Sequence, residues 1–312
     1  MAAANDLAGR LQALWDAQRN EWPTMAKGVE CLANAEVREV RHGGLRCKLQ
    51  WNPGRAVSAS AKVDAKSIAA RPCFLCEKNR PAEQRGVDAG DGYVFLCNPM
   101  PIFNPHFTVP TLDHQPQRID ACLTKMLELA ERLSGRFTVF YNGPKCGASA
   151  PDHLHLQAGP LGATPFEEPL IADAPGFIDW SVKGDVSVGL TAEPAPPAIV
   201  IAGTDRSAVL ARVAKTLATL AEHFPADPEP MLNALALHTD DKMQVVLFPR
   251  TAHRPTHFGT APGQILVSPG LVDMLGLLIT PRREDFDQLD GEAVAKIYLE
   301  VSRDRNELAG FV

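Results

Sequence analysis

The chain is short of several things, and each shortage closes off a class of function. Positive charge is not in excess: 31 Lys and Arg stand against 37 Asp and Glu, a formal net charge of −6. No broad basic field is present to hold nucleic acid, so any anion must be bound locally. There is no apolar run near the ~20 residues that a membrane span needs. Met1-Ala2-Ala3-Ala4-Asn5-Asp6 lacks the basic region and apolar stretch of a signal peptide. Cysteine is sparse and odd in number, seven in 312 residues, which fits a reducing cytoplasm better than a disulfide scaffold.

What remains is ordinary in bulk. Hydrophobic residues make up 45% and charged residues 22%, enough for a core, and the length allows two domains or one duplicated domain. Leu7, Leu11, Leu14 and Trp15 predict an amphipathic helix over 6–20. Val37 to Trp51 reads as a hairpin turning at His42-Gly43-Gly44. Strands are predicted near 93–97 and 105–109, a helix from Ile119 to Leu133, and a strand at Phe137–Tyr141. A Gly/Pro-rich loop and a strand through His153–Gly159 follow. The stretch 160–200 reads as a Pro-rich connection, broken most plainly at Pro194-Ala195-Pro196-Pro197. A helix (Ser207–His223), a strand (Met231–His238), a turn at Asp240-Asp241 and a strand (Lys242–Arg250) then repeat an order already met. The repeat predicts an internal duplication. A final helix is expected from Arg282 to Val301.

The densest chemistry lies in Asp152-His153-Leu154-His155-Leu156-Gln157. Strand alternation puts His153, His155 and Gln157 on one face and the leucines on the other. His155 is the candidate nucleophile, since a neutral imidazole attacks phosphorus and passes the group on. Its second ring nitrogen must then be held by an acceptor, such as a backbone carbonyl. Gln157 can donate to phosphoryl oxygens but cannot act as a general acid near neutrality. It therefore suits a leaving group that departs without a proton, a phosphate or sugar phosphate. Asn142, Ser149 and the amides around Gly147 are candidates to cradle phosphate oxygens. Arg250, His253 and Arg254, just after a strand, are candidates for further phosphate contacts. Arg55 and Lys62 are weaker candidates, and Glu167-Glu168 and Arg282–Asp285 read as solvated charge.

Cys73-x-x-Cys76 has the spacing of half a zinc site, which needs four N or S ligands. His153 is one candidate to complete it. The other is His106 or His114, with His106 preferred.

These residues carry a resemblance. His153-Leu154-His155-Leu156-Gln157, with Asn142 upstream, resembles the active-site motif of the histidine-triad superfamily. The closer likeness is to its transferase branch, the galactose-1-phosphate uridylyltransferases and the diadenosine tetraphosphate and GDP-hexose phosphorylases. That branch carries Gln where the hydrolase branch carries a third His. The resemblance spans roughly Arg71 to Gly159, and Arg71–Gln84 is also similar to a bacterial family related to these phosphorylases. Asp152, and the position of Ser149 four residues before His153, depart from the uridylyltransferase pattern.

The resemblance implies an α+β fold of two histidine-triad-like halves, each an antiparallel sheet with packed helices. Residues 1–160 would hold the catalytic motif and zinc site, and 161–312 a degenerate copy. It further implies His155 as the nucleotidylated nucleophile, with Gln157, Asn142 and Ser149 at the phosphates. Structural Zn²⁺ would sit on Cys73, Cys76, His106 and His153. The substrate would be a nucleoside diphosphate sugar or dinucleoside polyphosphate, with phosphate or sugar phosphate as partner, and the chain a monomer or homodimer. The rival readings are a nucleotide hydrolase, with water as acceptor, and a non-catalytic nucleotide-binding protein.

Overall fold

The computed structural model describes residues 6–56 and 64–312; Lys62 lies outside them. The chain opens with two helices, α1 (Leu7–Glu21) and α2 (Pro23–Ala33). Asp6 caps α1 by accepting the Gly9 N–H at 2.9 Å, and Pro23 starts α2 where its missing N–H costs nothing. The hairpin β1 (Glu36–His42) and β2 (Leu45–Trp51) follows as predicted. Its turn is Gly43-Gly44, both at positive φ, the conformation that glycine adopts without strain.

After the short helix α3 (Ala65–Ala69) come β3 (Gly86–Gly90), β4 (Tyr93–Cys97), β5 (Phe107–Pro110), α4 (Ile119–Arg132), β6 (Phe137–Asn142) and β7 (His155–Pro160). The stretch expected to be a connection is ordered structure: α5 (Glu167–Ile171), β8 (Ile178–Val182), β9 (Val186–Thr191) and the start of β10 (Ile199–Gly203). The Pro-rich break is only the β9–β10 link. Then come α6 (Arg206–His223), β11 (Leu232–Thr239) and β12 (Lys242–Pro249).

Ten of these strands form one sheet in the order β3-β4-β5-β7-β6-β11-β12-β10-β9-β8. The order is a palindrome. Reversing it exchanges β3 with β8, β4 with β9, β5 with β10, β6 with β11 and β7 with β12, and a helix precedes both β6 and β11. This is the α+β duplication expected from the sequence. The halves meet where β6 pairs with β11, with Asn142 opposite Asn233.

The sheet has two covered faces. On one, α1, α4 and α6 bury Leu11, Trp15, Leu123, Met126 and Val213 against Leu154, Leu156, Val139, Ala234 and Val245. On the other, Phe140, Leu235, Val246 and Phe248 meet the β1–β2 hairpin and the C-terminal segment. That segment is α7 (Leu271–Met274), β13 (Leu277–Thr280), α8 (Arg283–Gln288) and α9 (Gly291–Val301); α10 (Arg305–Leu308) follows, and its Leu308 joins the core of the first face. The single final helix expected over Arg282–Val301 is two, divided at Leu289-Asp290. β13 returns across the molecule to pair in parallel with β2, Leu278 beside Leu49. Glu167 and Asp285, expected to be solvated, are buried. Glu167 accepts from the Thr164 hydroxyl at 2.7 Å, and Asp285 from the Leu266 N–H at 3.0 Å. Among the described residues no helix is long and apolar enough to cross a membrane.

Candidate active site and metal centre

Strand β7 runs between β5 and β6, and alternation divides its side chains as expected. Leu154, Leu156 and Ala158 enter the helix-side core. His155 and Gln157 line a cavity of about 770 Å³ on the opposite face, together with Asn142, Gly147, Ser149, His253 and Arg254. His153 does not lie on the strand. It sits in the turn before it, its N–H bonded to the Ala150 carbonyl, and it joins a separate cluster of cysteine and histidine side chains.

The His155 ring is buried, and its Nδ1 lies 2.8 Å from the His153 carbonyl. A carbonyl only accepts, so Nδ1 carries the proton, and Nε2 is the ring nitrogen left with its lone pair. Burial lowers the pKa to about 4, so the imidazole is neutral at ordinary pH. Gln117, fully buried, fixes the backbone here. Its side-chain oxygen accepts the His155 N–H at 2.8 Å, and its amide N–H groups donate to the carbonyls of His155 and Asn142 at 3.0 and 2.9 Å.

Two amides present donors to the cavity because their oxygens are already engaged. The Ile102 N–H donates to His106 Nδ1 at 3.2 Å. That leaves the proton on His106 Nε2, which donates to Gln157 Oε1 at 3.0 Å. The Gln157 NH₂ is thereby the end available to a ligand. Burial, reinforced by Arg55, holds the His106 pKa down to about 3, so the relay does not titrate near neutrality. Likewise Asn142 Oδ1 accepts from Asn233 Nδ2 at 2.8 Å and from the Leu271 N–H at 2.7 Å. The loop between β6 and β7 is shaped by Gly147, at φ +96°, where a Cβ would meet the Gly270 Cα at 2.8 Å. Beneath it, burial raises the Glu229 pKa to about 7. This carboxyl accepts the Tyr141 hydroxyl at 2.7 Å and the Ile119 N–H at 2.6 Å, tying β6 to the start of α4.

The second half closes the cavity from above. His253 Nε2 and Arg254 Nε meet the Ser268 hydroxyl at 3.2 and 3.0 Å. Burial lowers the His253 pKa to about 4, so it contributes a neutral ring and Arg254 the charge. Arg55 also lines the cavity, one N–H on the Met100 carbonyl at 2.6 Å. Arg250, expected at the phosphates, is not among the lining residues. Its guanidinium is buried and donates to the carbonyls of Val301, Pro269, Ala252 and His253 and to Asn233 Oδ1. It holds the loop that carries His253 and Arg254.

The metal-ligand set needs a correction. Cys73, Cys76, His114 and His153 come together, their donor atoms all within 4.8 Å of one another; His106 is elsewhere. The reason is strand register. β5 and β7 pair with Thr108 opposite Gln157 and Pro110 opposite His155. Extended, that register puts His106 beside Gly159 and Leu112 beside His153. At ~3.4 Å per residue, His106 is about 20 Å along the ladder from the level of His153, where the cysteines gather. His114, in the turn after β5, reaches them. Cys73 Sγ and His114 Nδ1 each lie near His153 Nδ1, at 3.3 and 3.2 Å, and Cys76 Sγ lies 3.3 Å from His114 Nδ1. His153 Nε2 is 2.8 Å from the Thr111 carbonyl, which leaves Nδ1 unprotonated and able to ligate.

The residues that pattern reading missed are Gln117, Glu229 and the His106 relay. Each is a lone polar side chain with no motif around it. The signal that could have found His106 was the spacing of β5 against β7.

The fold is therefore a duplicated sheet with one equipped half and one roofing half. Structures similar to it are those of yeast Ap4A phosphorylase Apa2. The complex with AMP matches with a TM-score of 0.55 at 20% identity, covering 92% of this chain and 95% of that one. The complex with Ap4A matches with a TM-score of 0.59 at 16% identity, covering 93% and 97%. At these identities the likeness is one of fold. Residues 14–160 match a family described as a domain of unknown function (DUF4922). No curated protein matches the chain.

Proposed function

We propose that the protein is a nucleotidyltransferase working by double displacement on a nucleoside diphosphate sugar or dinucleoside polyphosphate. The observation that carries this reading is the state of His155: buried, neutral, with Nδ1 locked on a carbonyl and Nε2 at the cavity. Nε2 attacks the α-phosphorus. The N–P bond forms as the P–O bond to the leaving group breaks, and the leaving phosphate takes the bonding pair. The positive charge on the substituted imidazole sits at Nδ1–H, against the His153 carbonyl. A phosphate oxygen of the acceptor then attacks phosphorus, the P–N bond breaks, and neutral His155 returns. The NH₂ groups of Gln157 and Asn142 and the Ser149 region stabilise the phosphoryl oxygens. No proton need reach the leaving group, which is why an amide at 157 suffices. The fold shared with Ap4A phosphorylase supports this reading.

The metal in this reading is zinc. Tetrahedral zinc sets S and N donors about 3.3–3.8 Å apart; four of the six donor separations here are 3.2–3.5 Å, and all lie within 4.8 Å. Two thiolates and two imidazoles leave no open position, so its work is structural.

The test is incubation with α-labelled nucleotides and a search for acid-labile, base-stable label on protein. Label lost in His155→Ala is expected. Absence of label with every nucleotide, or label that survives the substitution, would falsify the reading. Zinc found at less than one equivalent in protein purified without chelator would remove the metal assignment.

A further inference from the structure

The loop that carries the two cysteines also faces the cavity. Arg71, Phe74 and Leu75 line it together with His155 and Ser149. Phe74 is 47% exposed, and of the large hydrophobic side chains exposed among the described residues it alone borders this cavity. Arg71 lies beside it, its guanidinium carbon 5.1 Å from the ring centroid. One arm of Arg71 is fixed: Nη2 donates to Asp152 Oδ1 at 2.8 Å and approaches the Ser149 carbonyl at 3.5 Å. The other arm is not. Nη1 is buried with no hydrogen-bond partner among the described residues, a costly state for a charged donor unless an anion completes it. The loop is anchored to the phosphate-loop side of the site, since Cys73 and Leu75 pack on Ala150.

Resting on the nucleotidyl-transfer reading, we infer that this metal-stapled loop is the leaving-group subsite. Arg71 takes a phosphate beyond the attacked one, and Phe74 stacks a planar base at the far end. The substrate class it fits is a dinucleoside polyphosphate rather than a nucleotide sugar. A hexose would need hydrogen-bond partners for its hydroxyls. The amides lining this end of the cavity are already donated: Asn79 to the Cys73 carbonyl at 2.8 Å, Gln84 to the Cys97 carbonyl at 3.2 Å and Asn98 to the Thr108 hydroxyl at 3.4 Å. A base needs a ring face, and Phe74 offers one. Asp152, the residue that departs from the uridylyltransferase pattern, is here the anchor of Arg71.

The experiment measures formation of labelled protein from two donors of one base, diadenosine tetraphosphate and ADP-glucose, and from their guanosine counterparts. Wild type, Phe74→Ala, Phe74→Trp and Arg71→Met are compared. Phe74→Ala is expected to lower kcat/KM for the dinucleoside tetraphosphate about tenfold, mostly through KM. The nucleotide sugar should change by less than about twofold. Phe74→Trp is expected to restore the loss, and Arg71→Met to act on the dinucleoside substrate more than on the sugar. Metal content and thermal midpoint are read on each variant, so that a disrupted loop is recognised by its lost metal. Equal losses on both donors, or no loss with metal retained, overturn the inference while nucleotidyl transfer stands. Labelling of wild type from nucleotide sugars alone does the same. No label from any donor overturns both.

Discussion

β7 and β12 occupy equivalent places in the two halves of one sheet, and they meet opposite fates. On β7 the sheet face turned away from the helices carries His155 and Gln157 and borders a cavity. On β12 the same face carries Gln244, Val246 and Phe248. Val246 and Phe248 are sealed in a core with Phe166 and Leu170, and Gln244 is buried, its amide 3.5 Å from the Leu170 carbonyl. The connections differ as much as the strands do. β6 reaches β7 through residues 143–154, a loop long and glycine-bent enough to border the cavity with Gly147, Ala148 and Ser149. β11 reaches β12 through Asp240 and Asp241 alone. A duplicated sheet therefore yields a site only where a long loop enters the strand and the covering layer stands off. The second half contributes by lending that cover, through His253, Arg254, Ser268 and the Gly270–Asp273 segment.

The comparison is broken most directly at the two strands. His155→Ala is expected to reduce protein labelling by at least about 10³-fold, while Gln244→Leu leaves the rate within about twofold. Comparable losses in both would mean that β12 also works on substrate. Gln157→Ala should slow transfer about 10²-fold, the usual cost of removing one aligned donor at a developing charge. Arg250→Met should cost about 3 kcal/mol of stability, because several buried acceptors lose their donor at once. Its effect on KM, measured on the folded fraction, should be smaller than that of Arg254→Met; the reverse would put Arg250 at the phosphates. His106→Phe should slow transfer about tenfold with metal content unchanged, whereas His114→Phe loses the metal. Loss of metal from the His106 variant would restore the ligand set first expected.

The pH profile sharpens the picture of the β7 face. Burial holds the His155 pKa near 4, below the ordinary value of 6.5. The ring is thus neutral and nucleophilic above that value. Labelling should stay level as pH rises from about 5 to 8 and fall as pH drops through about 4. An acid limb near 6.5 would mean that the ring is solvated, as a residue on an open face would be.

Much of this was legible in the residues. His155 and Gln157 alternate with leucines, and alternation alone gives their common face. The carbonyl lock on His155 follows from what a nucleophilic imidazole requires. The repeated order of helix and strands announced the duplication. The candidate metal cluster was only three-quarters legible, because chemistry names histidine as a possible ligand but only the β5–β7 register says which histidine is within reach. Arg250 misled for a related reason. A basic cluster after a strand looks the same in sequence whether its arginine meets phosphate or five protein acceptors. The ordered stretch over 160–200 was hidden because proline-rich turns between short strands read as a linker. Gln117 and Glu229 were hidden because a single polar residue in a loop shows its importance only through partners distant in sequence.

The parallel pairing of β13 with β2 has an effect on how this protein comes into being. During synthesis His155, the amides of Gln157 and Asn142, and the four clustered cysteine and histidine side chains are all made before residue 161. The cavity roof arrives only with Ser268–Ile279, and the clamp that holds it to the first hairpin arrives with β13 and α9. A nascent chain thus carries His155 without an enclosed chamber until β13 has been made. Arrival of β13, rather than formation of any one motif, is what completes the cavity around His155.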